Sequence, residues 1–231
     1  MPLKFLGRGS GFSDEHTSAY FSTENKEMVI IDCPVSAFQK LKHLNLSDYE
    51  KIYVLITHTH GDHVGGLGLL VQYAFFVLKK TITIVAPSID VAVNIKALLF
   101  LEGNEDSWYA FTTVHTLKAE WFGKAILTEH SPQLKGKCFG YQLTIDGKNI
   151  IYTGDTSTIM PFVNYLTPDS LFYVDTSVHY GMIHLNLENV LNFFIALTKK
   201  GIKVYLMHLD DVDAVEKIVA DYSDINVVTL D

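Results

Sequence analysis

Residues 57–66 read THTHGDHVGG, and this stretch decides which fold the chain is expected to adopt. Four potential metal ligands fall within six of its residues, namely His58, His60, Asp62 and His63. Neutral imidazole is the commonest protein ligand for zinc and related ions, and a carboxylate suits a second, harder site. Because histidine is a rare residue, chance explains this cluster poorly. The stretch therefore predicts a metal site rather than an ordinary polar loop.

The spacing inside this stretch predicts its local structure. Its first two histidines are two residues apart, which in an extended segment puts both side chains on one side. Gly61 is expected to allow a tight turn that aims residues 62–63 at a neighbouring position. The glycines at 65–66 are expected to allow close packing where the next helix begins.

Six short apolar runs end abruptly in polar residues, and each end leads to a His or an Asp. Such runs are typical of buried strands. In α/β architectures ligands bind beyond the carboxyl ends of the strands, so we expect these side chains to converge. The runs are Glu27–Ile31, Lys51–Ile56, Ala125–Thr128, Asn149–Tyr152, Leu171–Val174 and Lys203–Met207. Further strands are predicted over Thr81–Val85 and Phe139–Ile145, and helices over Val64–Lys79, Ser88–Leu101, Asn186–Lys200 and Asp211–Asp221.

The composition describes a chain that can bury a full core, with 231 residues of which 48% are hydrophobic. We expect one domain over residues 1–231, because no linker or short repeat interrupts it, and this domain needs no metal merely to fold. The formal net charge is −8 and Arg8 is the only arginine, whereas nucleic-acid binders show a basic stripe. We therefore predict a small anionic substrate and no nucleic-acid polymer as partner.

The expected location is the cytoplasm. Cys33 and Cys138 are too few for a disulfide framework, and the first residues contain no apolar leader. The apolar stretches Leu67–Leu78 and Val91–Leu101 are shorter than a membrane span and carry polar residues, so they predict buried helices and no membrane partner. The helices that contain them are candidates for the face of a homodimer.

The pattern His-x-His-x-Asp-His after a hydrophobic strand resembles the signature of the metallo-β-lactamase superfamily. The resemblance continues along most of the chain. Asp32 resembles the aspartate at the strand end upstream of the signature, and His130 and His208 resemble later histidine ligands. Asp155, within Tyr-Thr-Gly-Asp-Thr, resembles the bridging aspartate. The resemblance implies an α/β (α+β) fold, an αββα four-layer sandwich with two sheets packed face to face and helices outside.

For the site, the resemblance implies two divalent metal ions. The first would be bound by His58, His60 and His130, the second by Asp62, His63 and His208, and Asp155 would bridge them. Asp32 would orient a ligand or the signature loop. A hydroxide bridging the ions would be the nucleophile, because a metal lowers the pKa of water from about 15.7 to about 7, and Asp62 would orient it or take its proton. Zinc is the expected metal, with manganese and iron as alternatives that also fit these ligands.

Within the superfamily, the motifs are closest to the branch of ribonuclease Z and small cyclic phosphodiesterases. A Gly140-Tyr141 hairpin runs into residues 152–156, as in that branch. His184 lies 24 residues before His208, where the branch has a histidine that donates a proton to the leaving oxygen, and His179 is the competing candidate. This chain departs from the branch at two places. It has Asp175 where the branch often has Glu, and His184 is followed by Leu185 and Asn186 where the branch often has Ser or Thr and then Thr.

Only 24 residues separate His130 from Asp155, which leaves no room for the long arm with which ribonuclease Z grips tRNA. The predicted function is therefore a dinuclear metal-dependent hydrolase, a phosphodiesterase for small phosphodiesters, cyclic ones included. Two alternatives stay open. One is a thioesterase or lactonase of the same fold, and the other is a non-enzymatic metal or ligand sensor.

Overall fold

The structure is a computed structural model that describes residues 2–179 and 181–231. The chain divides into two compact units. The first unit holds the described residues up to Gly7, Asp14–Leu117 and Leu230–Asp231, and the second holds Arg8–Ser13 and Lys118–Thr229. The single domain over residues 1–231 therefore stays a prediction.

The first unit is built on a six-stranded sheet. Its strands are β1 (Lys4–Gly7), β2 (Ser18–Ser22), β3 (Glu27–Ile31), β4 (Lys51–Leu55), β5 (Ile82–Ala86) and β6 (Tyr109–Thr113). The strand order follows the sequence, with antiparallel pairing from β1 to β3 and parallel pairing from β3 to β6. In β3 the run from Met28 to Ile31 is fully buried, as expected of a parallel strand that is covered on both faces.

The helices of the first unit follow β3, β4 and β5. They are α1 (Val35–Leu41), α2 (Gly61–Val64), α3 (Leu67–Gln72), which continues into a π-helical stretch over Tyr73–Leu78, and α4 (Ile89–Leu101). Helix α4 begins after Ser88, whose side chain accepts a hydrogen bond from the Val91 amide at 3.3 Å. A serine in this position satisfies an amide that the first helical turn leaves unpaired, and this confirms the predicted start.

The second unit repeats this arrangement of strands. Its strands are β7 (Phe122–Thr128), β8 (Cys138–Ile145), β9 (Lys148–Tyr152), β10 (Leu171–Asp175), β11 (Lys203–Met207) and β12 (Ile225–Val227). Pairing is antiparallel from β7 to β9 and parallel from β9 to β12, again in sequence order. Helices α5 (Leu187–Thr198) and α6 (Val212–Val219) follow β10 and β11. The Asn186 side chain caps α5 by accepting a hydrogen bond from the Asn189 amide, and the Asp211 side chain caps α6 by accepting one from the Ala214 amide.

The predicted helix Val64–Lys79 is interrupted in the structure. Helix α2 ends at Val64 and α3 begins at Leu67, with glycines at 65 and 66 between them. A Cβ on Gly66 would lie 2.5 Å from the Pro34 carbonyl oxygen, so the chain passes here at a distance that only glycine allows. Lys79 ends the π-helical stretch with a φ of 56°, in the left-handed region.

All eight predicted strands are present, whereas β1, β2, β6, β12 and helix α1 were not predicted. These missed elements are short, and their burial depends on strands that lie next to them in the sheet. Strand β1, for example, has four residues and contributes fully buried Phe5, yet its sequence shows no alternation of apolar and polar residues.

Among the described residues, one helical run, Gly61–Leu78, is long and apolar enough to cross a membrane by length and composition alone. It has 18 residues, 44% of that run is buried inside the fold, and core helices of globular proteins pass the same test. The apolar helices also carry exposed side chains, with Phe76 51% and Phe100 77% exposed. The homodimer and the cytoplasmic location stay predictions.

Candidate metal centre

In the first unit, the candidate site begins at the carboxyl ends of β3 and β4. Asp32 directly follows β3 and is fully buried. Its carboxylate accepts hydrogen bonds from the Thr57 amide at 2.8 Å and from the Thr57 hydroxyl at 2.6 Å. Since β3 and β4 pair in parallel, their ends lie side by side. Asp32 can therefore tie the signature segment, residues 57–66, to the end of the neighbouring strand.

The signature segment presents its donor atoms in two pairs. The Nε2 atom of His58 lies 3.0 Å from the Nδ1 atom of His60. The Nε2 atom of His63 lies 3.4 Å from an Asp62 carboxylate oxygen. These are the same pairs that the resemblance divides between a first and a second ion.

In the second unit, one carboxylate oxygen lies close to two histidine nitrogens. Asp155 Oδ2 is 3.5 Å from His130 Nε2 and 3.3 Å from His208 Nε2. Asp155 follows β9, His130 follows β7 by two residues, and His208 follows β11 directly. All three side chains are buried, and His208 turns out of its strand with a φ of 59°. A carboxylate between two imidazoles is the arrangement that a bridging ligand requires.

The distances between these donor atoms fit metal ligands. Ligand atoms about 2.0–2.1 Å from a tetrahedral zinc ion lie roughly 3.3–3.4 Å from one another. The four donor pairs of the two units are 3.0, 3.4, 3.5 and 3.3 Å apart. Nitrogen and oxygen donors of this kind suit zinc, manganese or iron.

The histidines are also held at their other ring nitrogen, as metal ligands usually are. His63 Nδ1 lies 2.8 Å from Asp32 Oδ2, and His130 Nδ1 lies 2.8 Å from the Ile183 carbonyl oxygen. His58 Nδ1 lies 3.1 Å from the Thr57 hydroxyl. Donation from Nδ1 to the Asp32 or Ile183 oxygen leaves the Nε2 lone pair of that ring available for a metal.

Asp175 organises the histidines of the second unit. This fully buried carboxylate accepts from the Thr156 amide at 2.8 Å through Oδ2. The same oxygen lies 2.8 Å from His184 Nδ1, and Oδ1 lies 3.4 Å from His208 Nδ1. The His184 ring stacks on the His208 ring with a centroid distance of 4.9 Å. Donor atoms of Asp175, His184 and His208 lie within 4.8 Å of one another, so this trio is also able to hold a cation.

Burial and charge act on these groups in opposite directions. Burial lowers the pKa of His130 even though Asp155 opposes the shift, which favours the neutral imidazole that binds metals. For His184, burial lowers the pKa, but the charge and hydrogen bond of Asp175 outweigh it, and the pKa is raised overall. Burial raises the pKa of Asp32, although His63 and Thr57 hold it lower than burial alone would.

The turn predicted at Gly61 is present, since the His63 amide donates to the His60 carbonyl at 3.0 Å, but it does not depend on glycine. Gly61 is the first residue of α2, it is not among the described glycines with positive φ, and a Cβ there would meet nothing within 4 Å. The change of direction comes instead from His60, which precedes the helix with extended backbone (φ −67°, ψ 151°). Any residue adopts these angles, so no glycine is required.

Two other residues singled out from the sequence lie apart from the donor atoms of their unit. Arg8 Nη1 donates to the Val228 carbonyl oxygen at 3.1 Å and lies 3.4 Å from a Glu216 carboxylate oxygen. His179 is exposed, and its amide donates to the Ser177 hydroxyl and to Asp210. His184, in contrast, lies among the site histidines of its unit.

Sequence reasoning missed the contacts of Thr57, Asp175 and Asp210. Asp175 was visible as a strand-end acid, which is the signal that identified Asp155. Thr57 and Asp210 flank predicted ligands, but nothing in the order of residues shows that their side chains reach across to another strand end or loop.

The sequence model of the family described as anti-Pycsar protein Apyc1 matches residues 1–228. The chain belongs to the Apyc1 family. It is 27% identical to the anti-Pycsar protein Apyc1 of Bacillus phage vB_BveM-Goe7, over 90% of this chain and 89% of that protein. It is also 37% identical to ribonuclease Z of Listeria welshimeri over 111 residues, which are 45% of this chain and 35% of that protein.

Solved structures agree with the Apyc1 family assignment at the level of the fold. The metallo-β-lactamase fold protein YhfI of Bacillus subtilis superposes with a TM-score of 0.75 over 98% of this chain and 96% of that chain, at 19% sequence identity. At this identity the likeness shows the fold alone. The resemblance to the metallo-β-lactamase superfamily is therefore confirmed at the level of the fold, and so is the predicted α/β class, with two mixed sheets, for this member of the Apyc1 family.

Proposed function

We propose that this Apyc1-family chain is a dinuclear metal-dependent hydrolase that cleaves small phosphodiesters, cyclic ones included. The observation that carries the proposal is the position of Asp155 Oδ2, 3.5 Å from His130 Nε2 and 3.3 Å from His208 Nε2. A single carboxylate shared by two imidazoles has the form of a bridging ligand. Membership of the Apyc1 family and the partial likeness to ribonuclease Z support a phosphodiester as the bond that is cleaved.

The proposed ligands are those that the signature implied, namely His58, His60 and His130 for one ion, Asp62, His63 and His208 for the other, and Asp155 for both. The donor pairs within each unit support this division. When bound, such ions polarise the phosphoryl group and supply a nucleophile derived from water at neutral pH. The rest of the catalytic work falls to side chains of this chain.

His184 is proposed as the general acid. Its Nδ1 atom faces the buried Asp175 carboxylate, which fixes the ring and leaves Nε2 as the atom that donates a proton. As the bond between phosphorus and the leaving oxygen breaks, that oxygen takes the Nε2 proton and departs as an alcohol. His179 is a weaker candidate because its side chain is exposed. Asp62 is proposed to hold or accept a proton on the opposite, attacking side.

The test is turnover of bis(p-nitrophenyl) phosphate and of a cyclic nucleotide by the zinc- or manganese-loaded protein, with an acyl thioester assayed alongside. We expect phosphodiester turnover and its loss in Asp62→Ala. In His184→Ala we expect a decrease of about a hundredfold or more for the cyclic nucleotide, since general acids contribute roughly 10²–10⁴-fold, and a smaller decrease for bis(p-nitrophenyl) phosphate, whose leaving group departs without a proton. His115→Ala is the control, because His115 is exposed and belongs to none of the donor groups above.

The alternatives predict different results. Thioester turnover without phosphodiester turnover, unaffected by His184→Ala, would move the chain to a thioesterase or lactonase function. Metal binding without turnover of either substrate would contradict the hydrolase proposal and favour a sensor.

A further inference from the structure

The second unit contains a loop that contacts the rings of two site histidines or carries one of them. We call its described residues 178–179 and 181–184 the His184 loop. Ser177 closes it, because the Ser177 amide donates to the Leu185 carbonyl at 2.7 Å and the Leu187 amide donates to the Ser177 carbonyl at 2.8 Å. A bridge between Ser177 and Asn186 completes this closure.

The C-terminal end of the His184 loop contacts the candidate site at two points. The Ile183 carbonyl oxygen lies 2.8 Å from His130 Nδ1, and His184 Nδ1 lies 2.8 Å from Asp175 Oδ2. A shift of the loop would therefore disturb a hydrogen bond of each imidazole ring. Val178 packs against the apolar core of the unit, whereas Met182 is 93% exposed and Gly181 is exposed. Polar contacts therefore contribute to holding the exposed part of the loop in place.

Asp210 supplies contacts at the N-terminal end of the loop. It lies two residues after His208, and its Oδ1 accepts from the Val178 amide at 3.0 Å. Its Oδ2 accepts from the Ser177 hydroxyl at 2.5 Å and from the His179 amide at 3.1 Å. One carboxylate thus receives three hydrogen bonds from three consecutive residues.

Both oxygens of the Asp210 side chain accept these hydrogen bonds, as the two oxygens of a carboxylate can. Hydrogen bonds to a charged acceptor are roughly twice as strong as neutral ones. An asparagine has one carbonyl oxygen and would present its NH₂ group to at least one of the same donors.

We propose that Asp210 is a positioning residue that ties the His184 loop to the strand end carrying His208, and that it thereby sets the orientation of His184 and His130. The effect on turnover rests on the proposed function, whereas the effect on the loop does not. Asp210 touches neither substrate nor metal in this role.

The first experiment measures hydrogen exchange in the metal-free, full-length chain. In Asp210→Asn we expect the Ser177 and Leu187 amides, which donate to loop-closing carbonyls and not to Asp210, to exchange roughly tenfold faster or more. Amides of β9 and β11 should keep their wild-type rates. Asp211→Asn is the matched control, because Asp211 caps α6 and asparagine is an equally good cap. Wild-type exchange at Ser177 and Leu187 in Asp210→Asn would overturn the proposal.

The second experiment compares turnover of a cyclic nucleotide, whose leaving group is a sugar hydroxyl, by four proteins, the wild type, Asp210→Asn, His184→Ala and the double variant. We expect Asp210→Asn to lower kcat roughly tenfold or more with little change in KM, as for other residues that orient catalytic groups. In the His184→Ala background the same change should have a clearly smaller effect, with only the part that acts through His130 remaining, because residues that act as a unit are not additive. Asp210→Glu, which keeps the carboxylate, should recover part of the rate.

The two proposals fail in different ways. Full additivity of Asp210→Asn and His184→Ala would show that Asp210 does not act through His184. A wild type that turns over no phosphodiester would contradict the proposed function, and hydrogen exchange would still decide whether Asp210 holds the loop.

Discussion

His184 and His208 share one carboxylate, that of Asp175. Oδ2 of this side chain lies 2.8 Å from His184 Nδ1, and Oδ1 lies 3.4 Å from His208 Nδ1. The buried carboxylate that orients the proposed general acid through one oxygen therefore faces a proposed metal ligand with its other oxygen. In the branch that the motifs resemble, this position is often Glu. The Asp of this protein has a shorter side chain, yet it still reaches the histidine.

Replacing Asp175 should reduce catalysis. In Asp175→Asn the His184 ring loses its charged acceptor. With the amide oxygen in place of Oδ2, the NH₂ group takes the place of Oδ1 and faces His208 Nδ1. We expect turnover of a cyclic nucleotide to fall roughly 10–100-fold, the usual loss when a residue that orients a ligand is changed. Asp169→Asn, at an exposed position, is the control. Equal rates for Asp175→Asn and the control would contradict the role of Asp175.

Replacing Asp32 should weaken metal binding in the first unit. The Asp32 carboxylate accepts from His63 Nδ1 at 2.8 Å, which leaves Nε2 as the lone-pair donor. The amide of Asp32→Asn can donate to Nδ1 instead, which moves the ring proton to Nε2 and blocks that donor. Titration calorimetry with zinc should show one site weakened roughly 10–100-fold.

The control for Asp32→Asn must share its backbone conformation. Asp32 has a φ of 60° and Asp169 a φ of 69°, and asparagine adopts this left-handed region readily. Asp169→Asn should bind zinc like the wild type. If both variants bind two equivalents with unchanged affinity, Asp32 does not set the tautomer of His63.

The two glycines that flank α2 should respond differently to alanine. A Cβ at Gly66 would lie 2.5 Å from the Pro34 carbonyl oxygen, whereas a Cβ at Gly61 meets nothing within 4 Å. We expect Gly66→Ala to lower the free energy of unfolding by about 1–3 kcal/mol, as overpacking does. Gly61→Ala should change it by less than about 0.5 kcal/mol. Urea unfolding monitored by circular dichroism measures both, and similar losses at the two positions would refute the distinction.

Metal removal should destabilise the chain without unfolding it. Both units contain many fully buried apolar residues, and in the second unit these include a core cluster that extends from Ile126 to Ile225. EDTA should therefore leave the far-UV circular dichroism spectrum intact. A ligand at 100 times its Kd contributes about 2.7 kcal/mol per site, so zinc should raise Tm by several degrees. Loss of the spectrum in EDTA would mean that folding itself requires the metal.

Much of the site followed from the sequence because its residues occupy strand ends. The apolar runs that precede Asp32, His58, Asp155 and His208 identify buried strands, and the parallel pairing of those strands brings their ends to one edge of each sheet. Local order in the chain was therefore enough to select these residues.

The residues that hold the ligands did not follow from the sequence. Thr57 contacts Asp32 across 25 positions, and Asp210 contacts Ser177 across 33. Such contacts depend on how sharply the chain turns after a strand. After β11 this turn is made at His208, which has a φ of 59°. Hydrophobic periodicity carries no information on that turn. Position 61 shows the opposite kind of error. Its glycine was interpreted as a requirement of the turn, whereas its backbone conformation and open surroundings accept other residues.

Two short segments belong to the unit that is formed mainly by the other half of the sequence. Residues 8–13 join the second unit, where the Ser10 amide donates to the Leu209 carbonyl at 2.9 Å. Leu230 and Asp231 join the first unit, where the Asp231 amide donates to the Phe5 carbonyl at 3.0 Å. The outermost contacts of the first unit therefore form only after Leu230 and Asp231 have been synthesised and have left the ribosome. Removal of these two residues would cost the first unit the hydrogen bond between the Asp231 amide and the Phe5 carbonyl.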